Sequence, residues 1–404
     1  MDAIWIIFLF AIGACVGSFM NVVIYRVPRG ESIVFPGSHC PSCGKLIKWY
    51  DNIPLISWLA LGAKCRFCKC GISPRYILIE LATAVMVAGL YICYYVLRVR
   101  DDAGDFMDTW PTFTAHACLL CGLLVCAAVD IELWIVPLEV CWLVSIVGVA
   151  VSTISPNHDW MPPVAAPTGA MCLAAGVGLI ISLILQKYGI LQQSFLDADD
   201  KPVNSPTKRE ADTDAQPQKK SGKQKAAPPQ VAMSASHGVS PRIEVLREVL
   251  FLMPATVLAI AAYYLVTKSP AVASAWNNIA ASESGSFGLH VNGFLTALCG
   301  YLIGGLWIWG TRIFGTLAFN KEAMGLGDVH IMAAVGATVG WLVPSVAFFV
   351  APLFGLLWAL YLLVRRNQRE LPYGPWLAAG TLVVMLFYDR VNEFVSVYKQ
   401  LMMP

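Results

Sequence analysis

Long apolar runs broken by short polar stretches dominate the chain, and the runs are too long and too uniform for a soluble core. Runs of about 20 apolar residues, enough to cross a bilayer, predict ten spans centred near residues 14, 86, 121, 146, 177, 257, 302, 336, 354 and 382. The eighth, Asp328 to about Val343, is the shortest. The first, "AIWIIFLFAIGACVGSFMNVVIY", lacks a basic leader region and reads as a retained helix rather than a cleaved signal. The expected fold is therefore an all-α polytopic membrane protein of about ten transmembrane helices, with the lipid bilayer as its surroundings.

The polar stretches differ in kind. Between the first two spans, eight basic residues from Arg26 to Arg75 face two acids, Glu31 and Asp51, so this loop is expected in the cytoplasm. Counting onward, the acidic connection with Asp101, Asp102, Asp105 and Asp108 falls outside, "VRRNQRE" falls inside, and both termini face out. Residues of about 192–242 are rich in Pro, Lys, Asp, Ser and Ala and poor in large apolar side chains, which predicts a disordered cytoplasmic tether. No internal repeat stands out. The organisation read from these shifts is a first transmembrane helix over 1–25, a cytoplasmic polar loop over 26–75, helices over 76–164, a helix pair with the tether over 165–289, and a final transmembrane region over 290–404.

Composition agrees with the pattern. Of 404 residues, 57% are hydrophobic and 13% charged, against roughly 25% charged in soluble domains. A formal net charge of +2 gives no reason to expect a nucleic-acid partner.

Of thirteen cysteines, nine are scattered, mostly in apolar spans, as small hydrophobes. The other four form "CPSC", Cys40 and Cys43, and "CRFC", Cys65 and Cys68, with 21 residues between the pairs. Two CxxC units at this separation match tetrahedral thiolate ligation of Zn2+, and four thiolates close the shell, which makes such a site structural. Cys70 is a possible substitute ligand. Two disulfides are the alternative, disfavoured in a reducing compartment.

Carboxylates within apolar spans are costly, so each is a candidate for function. Asp130 closes the third span in "CAAVDIELWIVP" and Asp328 opens the eighth in "GLGDVH"; the topology count puts both at cytoplasmic helix ends. Two carboxylates close together in a partly dry site share a proton, which suits one as base toward water and the other as acid toward a scissile carbonyl. Gly325 and Gly327 give a tight turn and let an extended substrate backbone approach. The alternatives are an N-cap for Asp328 and an interfacial acid for Asp130.

The stretches "GSFMNVVIYRVP" (17–28), the cysteine segment 36–80, "VDIELWIVP" (129–137), "MGLGDVHIMAAVGATVG" (324–340) and "PYGPWLAAG" (372–380) together resemble the type IV prepilin peptidases, or leader peptidase/N-methyltransferases, of the GxGD class of intramembrane aspartic proteases. The resemblance implies Asp130 and Asp328 as the catalytic pair and Cys40, Cys43, Cys65 and Cys68 as zinc ligands. It also implies a prepilin or type II secretion pseudopilin as substrate, cut at the cytoplasmic face of the bacterial inner membrane. Methylation of the new N-terminus with S-adenosylmethionine is implied as a second reaction. No glycine-rich fingerprint marks where S-adenosylmethionine binds; Asn52, Arg75 and Glu80 are candidates. The chain departs from the family at Leu138, commonly aspartate, at His330, commonly lysine, and in the 198 positions that separate the two aspartates, which hold two extra spans where the family has eight in all. Two other classes are alternatives to this one: a membrane thiol-redox protein using the CxxC pairs, and a transporter with the two aspartates as an ion site.

Overall fold

The computed structural model describes residues 1–156, 160–161, 163–195, 240–280, 286–365 and 372–402. Most of the expected tether lies outside the described residues. In chain order the helices are α1 (Asp2–Arg26), α2 (Ile56–Ala60), α3 (Arg75–Tyr91), α4 (Phe106–Leu133), α5 (Leu138–Ile154), α6 (Ala166–Lys187) and α7 (Pro241–Lys268). They continue as α8 (Pro270–Ala280), α9 (Ser286–Phe319), α10 (Leu326–Val339), α11 (Leu342–Arg365), α12 (Gly374–Leu386) and α13 (Tyr388–Met402). Among the described residues there are no strands, only isolated bridges between His39 and Leu46 and between Lys64 and Gly71.

Among the described residues seven helices are long and apolar enough to cross a membrane, and three shorter apolar ones, α5, α10 and α12, complete the expected ten. Large apolar side chains such as Ile4, Ile146, Val257 and Phe349 are exposed on the outside of the bundle, as bilayer contact requires. The protein is an all-helical polytopic membrane protein.

The short helix α10 is the hub. Ile331 to Val339 are all buried, and α10 packs against α4, α5, α9, α11 and α12. At 1.5 Å per residue its 14 residues span only about 21 Å, less than the hydrocarbon core. The sequence pattern places this helix at Asp328 to about Val343; the structure starts it at Leu326 and stops it at Val339, because Gly340 takes a φ of 82° and ends the helix before α11 begins. That left-handed turn suits glycine.

Small residues let these backbones approach. Gly300 and Gly304 of α9 lie so close to the Gly336 and Met332 carbonyls of α10 that a β-carbon at any of the three glycines would strike backbone. Gly13 and Gly17 do the same for α1 on α3, where an added β-carbon would come within 2.8 Å of the Ala84 and Glu80 Cα atoms. In the expected insertion α6 lies along α7 through Gly178, against Ala255, and Ser182 Oγ donates to the Phe251 carbonyl at 2.6 Å.

Candidate active site and metal centre

Asp130 sits in the last turn of α4. Trp134 follows in the left-handed conformation, φ 60°, and its N–H donates to the Asp130 carbonyl at 3.0 Å, which closes the helix. Pro137 then precedes α5. Asp130 is buried, 7% exposed, and its carboxylate has one backbone donor: Gly374 N–H, the first residue of α12, at 3.0 Å from Oδ2. The positive end of α12 thus meets the carboxylate.

Asp328 lies in the first turn of α10. The cap residue is Gly325, and no side chain caps this helix, so Asp328 is not the N-cap that a helix start alone suggests. The missing side chain of Gly327 has a clear structural use. A β-carbon there would come within 2.6 Å of Val136, in the segment just after α4, so the glycine lets the start of α10 close onto the end of α4. Gly325 is exposed, and its nearest side-chain neighbour is Asp328 Oδ2, 3.9 Å from where a β-carbon would stand. Asp130 and Asp328, far apart in sequence, come near enough for the charge on one to act on the other.

Glu132, two residues past Asp130, turns away from it and forms a two-pronged pair with Arg75 Nη1 at 2.8 Å to both oxygens. This pair ties the start of α3 to the end of α4. Glu80, 8% exposed, accepts from the Leu55 N–H at 2.7 Å and fixes the cysteine loop to α3.

Within that loop the two CxxC units form matching hairpins, a repeat the sequence did not reveal. Cys40 N–H donates to the Lys45 carbonyl at 2.9 Å and Gly44 N–H to the Cys40 carbonyl at 2.8 Å; Cys65 to Cys70 and Lys69 to Cys65 repeat these bonds at 2.8 and 3.0 Å. Gly44 and Lys69 occupy equivalent positions, both with positive φ. The sulfurs of Cys40, Cys43, Cys65 and Cys68 all lie within 4.8 Å of one another, and Cys40 and Cys68 are 3.7 Å apart. A tetrahedron of Zn–S bonds of about 2.3 Å has edges of about 3.8 Å, so the four thiols fit a zinc ion. N–H groups of Cys43 and Ser42 directed at the Cys40 sulfur draw its thiol down to about 6, and the Cys70 N–H lowers Cys68. At Cys43 the Lys45 N–H is outweighed by burial and the neighbouring Cys40 and Cys68 thiols, which push it up to about 11, so ligation, which needs thiolates, would release its proton. Cys70 Sγ stands beside the cluster, 3.5 Å from Cys40 and 3.3 Å from Cys68. The Arg66 guanidinium holds the Asp51 carboxyl below the usual carboxylate range through two hydrogen bonds, at 2.8 and 2.5 Å, and so links the second hairpin to the loop body.

Between the loop and the ends of α1 and α3 lies a cavity of about 1200 Å³. Asn52, Arg75 and Glu80, the three candidates read from sequence, all line it, as does Glu132. Asn21, Trp58 and Arg75 also line it, and each keeps one buried polar atom, Oδ1, Nε1 and Nε respectively, without a hydrogen-bond partner among the described residues. Such orphaned groups mark a place where a polar ligand would be held.

Fold and site together define a polytopic helical membrane protein with a four-thiol loop and two carboxylates, at the end of α4 and the start of α10, near enough for one charge to act on the other. Residues 11–94 match the family model described as the bacterial peptidase A24 N-terminal domain. The chain is 43% identical over 147 residues to a prepilin leader peptidase/N-methyltransferase of Myxococcus xanthus, a match covering 36% of this chain and 40% of that relative. It is 22% identical to a protein of the same name from Pseudomonas aeruginosa over 95% of this chain and 90% of the relative. A relative from Klebsiella pneumoniae, also so named, is 39% identical over 33% of this chain and 56% of its own length. The chain is thus similar to proteins named prepilin leader peptidase/N-methyltransferase, strongly over about a third of its length and weakly over nearly all of it. No solved structure matches.

Proposed function

We propose that the protein removes the leader peptide of type IV prepilins or type II secretion pseudopilins at the cytoplasmic face of the bacterial inner membrane, and methylates the new N-terminal amine. The observation that carries this reading is that Gly327 closes the start of α10 onto Val136 just after α4, which brings Asp328 near enough to Asp130 for one charge to act on the other, in a chain similar along nearly its whole length to proteins of that name.

In this reading one carboxylate is ionised and takes a proton from water as the oxygen attacks the scissile carbonyl carbon. The other, protonated, donates to the carbonyl oxygen. The tetrahedral adduct then collapses: the C–N bond breaks, a proton passes to the departing nitrogen, and the pair returns to sharing one proton. Gly374 N–H orients the Asp130 carboxylate, and the exposed Gly325 leaves room for the substrate backbone. Cys40, Cys43, Cys65 and Cys68 hold a zinc ion that braces the loop and leaves no open coordination position for substrate. S-adenosylmethionine, when bound, supplies an electrophilic methyl group. Asn21, Trp58 and Arg75 are suited to hold it in the large cavity, because each has an unpartnered polar atom there.

The test is leader removal by the purified, membrane-reconstituted protein, read as the mass of a prepilin before and after incubation. A redox protein or a transporter would leave the prepilin intact.

A further inference from the structure

Arg312, 3% exposed, lies in the C-terminal part of α9 and is held on several sides. Its Nε donates to Glu248 Oε1 on α7 at 2.6 Å. Its Nη1 donates to Glu322 Oε1 and to the Met324 carbonyl, both at 2.6 Å. The Phe195 ring covers its face, 4.6 Å from the guanidinium carbon. These partners come from two regions. Phe195 and Glu248 belong to the inserted segment between the two aspartates, whereas Glu322 and Met324 form the turn that runs directly into Gly325, Leu326, Gly327 and Asp328.

The insert's side of this junction is itself fixed. Glu248, also 3% exposed, accepts from Ser194 Oγ at 3.1 Å. Glu244, one turn earlier on α7, accepts from the Phe195 N–H and from Arg247, each at 2.8 Å. Arg247 reaches on to Gln192 Oε1 at 2.7 Å. The end of the α6 segment is thereby stitched to the first turns of α7 just where both meet Arg312. Breaking one partner of a buried ion pair leaves the other charge uncompensated, and only a planar guanidinium serves such divergent acceptors at once.

We infer that the inserted helix pair is a positioning element of the peptidase site: Glu248 fixes Arg312, and Arg312 fixes the Met324 carbonyl and Glu322, setting the turn that delivers Asp328 to Asp130. Glu248 and Arg312 are positioning residues that touch no reacting atom. This inference rests on the reading of Asp130 and Asp328 as the peptidase pair, and it gives the two extra helices a task at the site they interrupt in sequence.

The full chain in liposomes tests it, with two readouts. Glu248→Gln keeps the side-chain shape but removes the charge. It should lower kcat for prepilin cleavage about tenfold or more while KM stays within about twofold, since small displacements of reacting groups cost rate rather than binding. Glu248→Asp, which keeps the charge, should recover part of the loss. Hydrogen exchange of the amides from Glu322 to Asp328 should quicken in Glu248→Gln, with those around Asp130 on α4 unchanged. Unaltered kcat with unaltered exchange overturns the inference, and so does a change confined to KM. If the parent protein cleaves no prepilin, the functional reading fails by itself, and exchange at Glu322 to Asp328 still decides whether Glu248 holds the turn.

Discussion

The backbone N–H of Gly374 donates to Asp130 Oδ2 at 3.0 Å, joining residues 244 positions apart. No side chain competes for that space. A β-carbon at 374 would stand 2.8 Å from Oδ2, closer than contact allows, so Gly374 both orients the carboxylate and leaves room for it.

Gly374→Ala should therefore push the Asp130 carboxylate aside while leaving the fold intact, since φ at this position is not in the left-handed region. The expected effect is a fall of about tenfold to a hundredfold in the cleavage rate, the scale of a misplaced catalytic group. Steady-state kinetics on reconstituted protein, with thermal melting as the control for folding, check this. An unchanged rate would show that the Gly374 contact does not set the carboxylate.

The four-thiol loop predicts about one zinc per chain. The double variant Cys40→Ser, Cys43→Ser should lose the metal and loosen the loop, read by elemental analysis and by protease sensitivity between Arg29 and Arg75. Cys70→Ser should keep it, because the four mutually close sulfurs do not include Cys70. Full zinc retention in the double variant would refute the assignment.

The α9–α10 contact predicts a stability effect remote from the carboxylates. Gly300→Ala places a β-carbon on the Gly336 carbonyl, and overpacking of this kind costs about 1–3 kcal/mol. A lowered melting temperature is expected, accompanied by slower cleavage, since α10 carries Asp328. A variant as stable as the parent would mean that the two helices pack with more freedom than the glycines imply.

The ten apolar helices were legible in the sequence, because a run of about 20 apolar residues in a bilayer has few options but a helix. The helix with Asp328 was displaced by a few residues because the pattern runs apolar through Gly340 and Trp341, and only the positive φ of Gly340 divides α10 from α11. The four clustered cysteines were legible from spacing. The twofold likeness of their hairpins was not, since "CPSCGK" and "CRFCKC" share little beyond the sulfurs and the repeat lies in backbone bonds and in φ at Gly44 and Lys69. Asp130 and Asp328 stood out as acids in apolar runs. Gly374 was visible only as part of a motif without a role, and Arg312 and Glu248 not at all, because their partners come from distant segments that only the folded chain assembles. An arginine and a glutamate in otherwise apolar helices were the available signal, for charges in such helices are rarely unpaired.

Leader removal by Asp130→Asn and Asp328→Asn proteins tests the central claim most directly. An amide can neither take a proton from water nor pass one on, so each variant should abolish cleavage of a prepilin, and the double variant should be hardly worse than either single one, as for groups that act as a unit. Glu132→Gln is the control. Its carboxylate pairs with Arg75, and two helical steps of about 100° set it on another face than Asp130, so it should cost far less. Undiminished cleavage by a correctly inserted Asp328→Asn protein would remove that carboxylate from the chemistry and contradict the account.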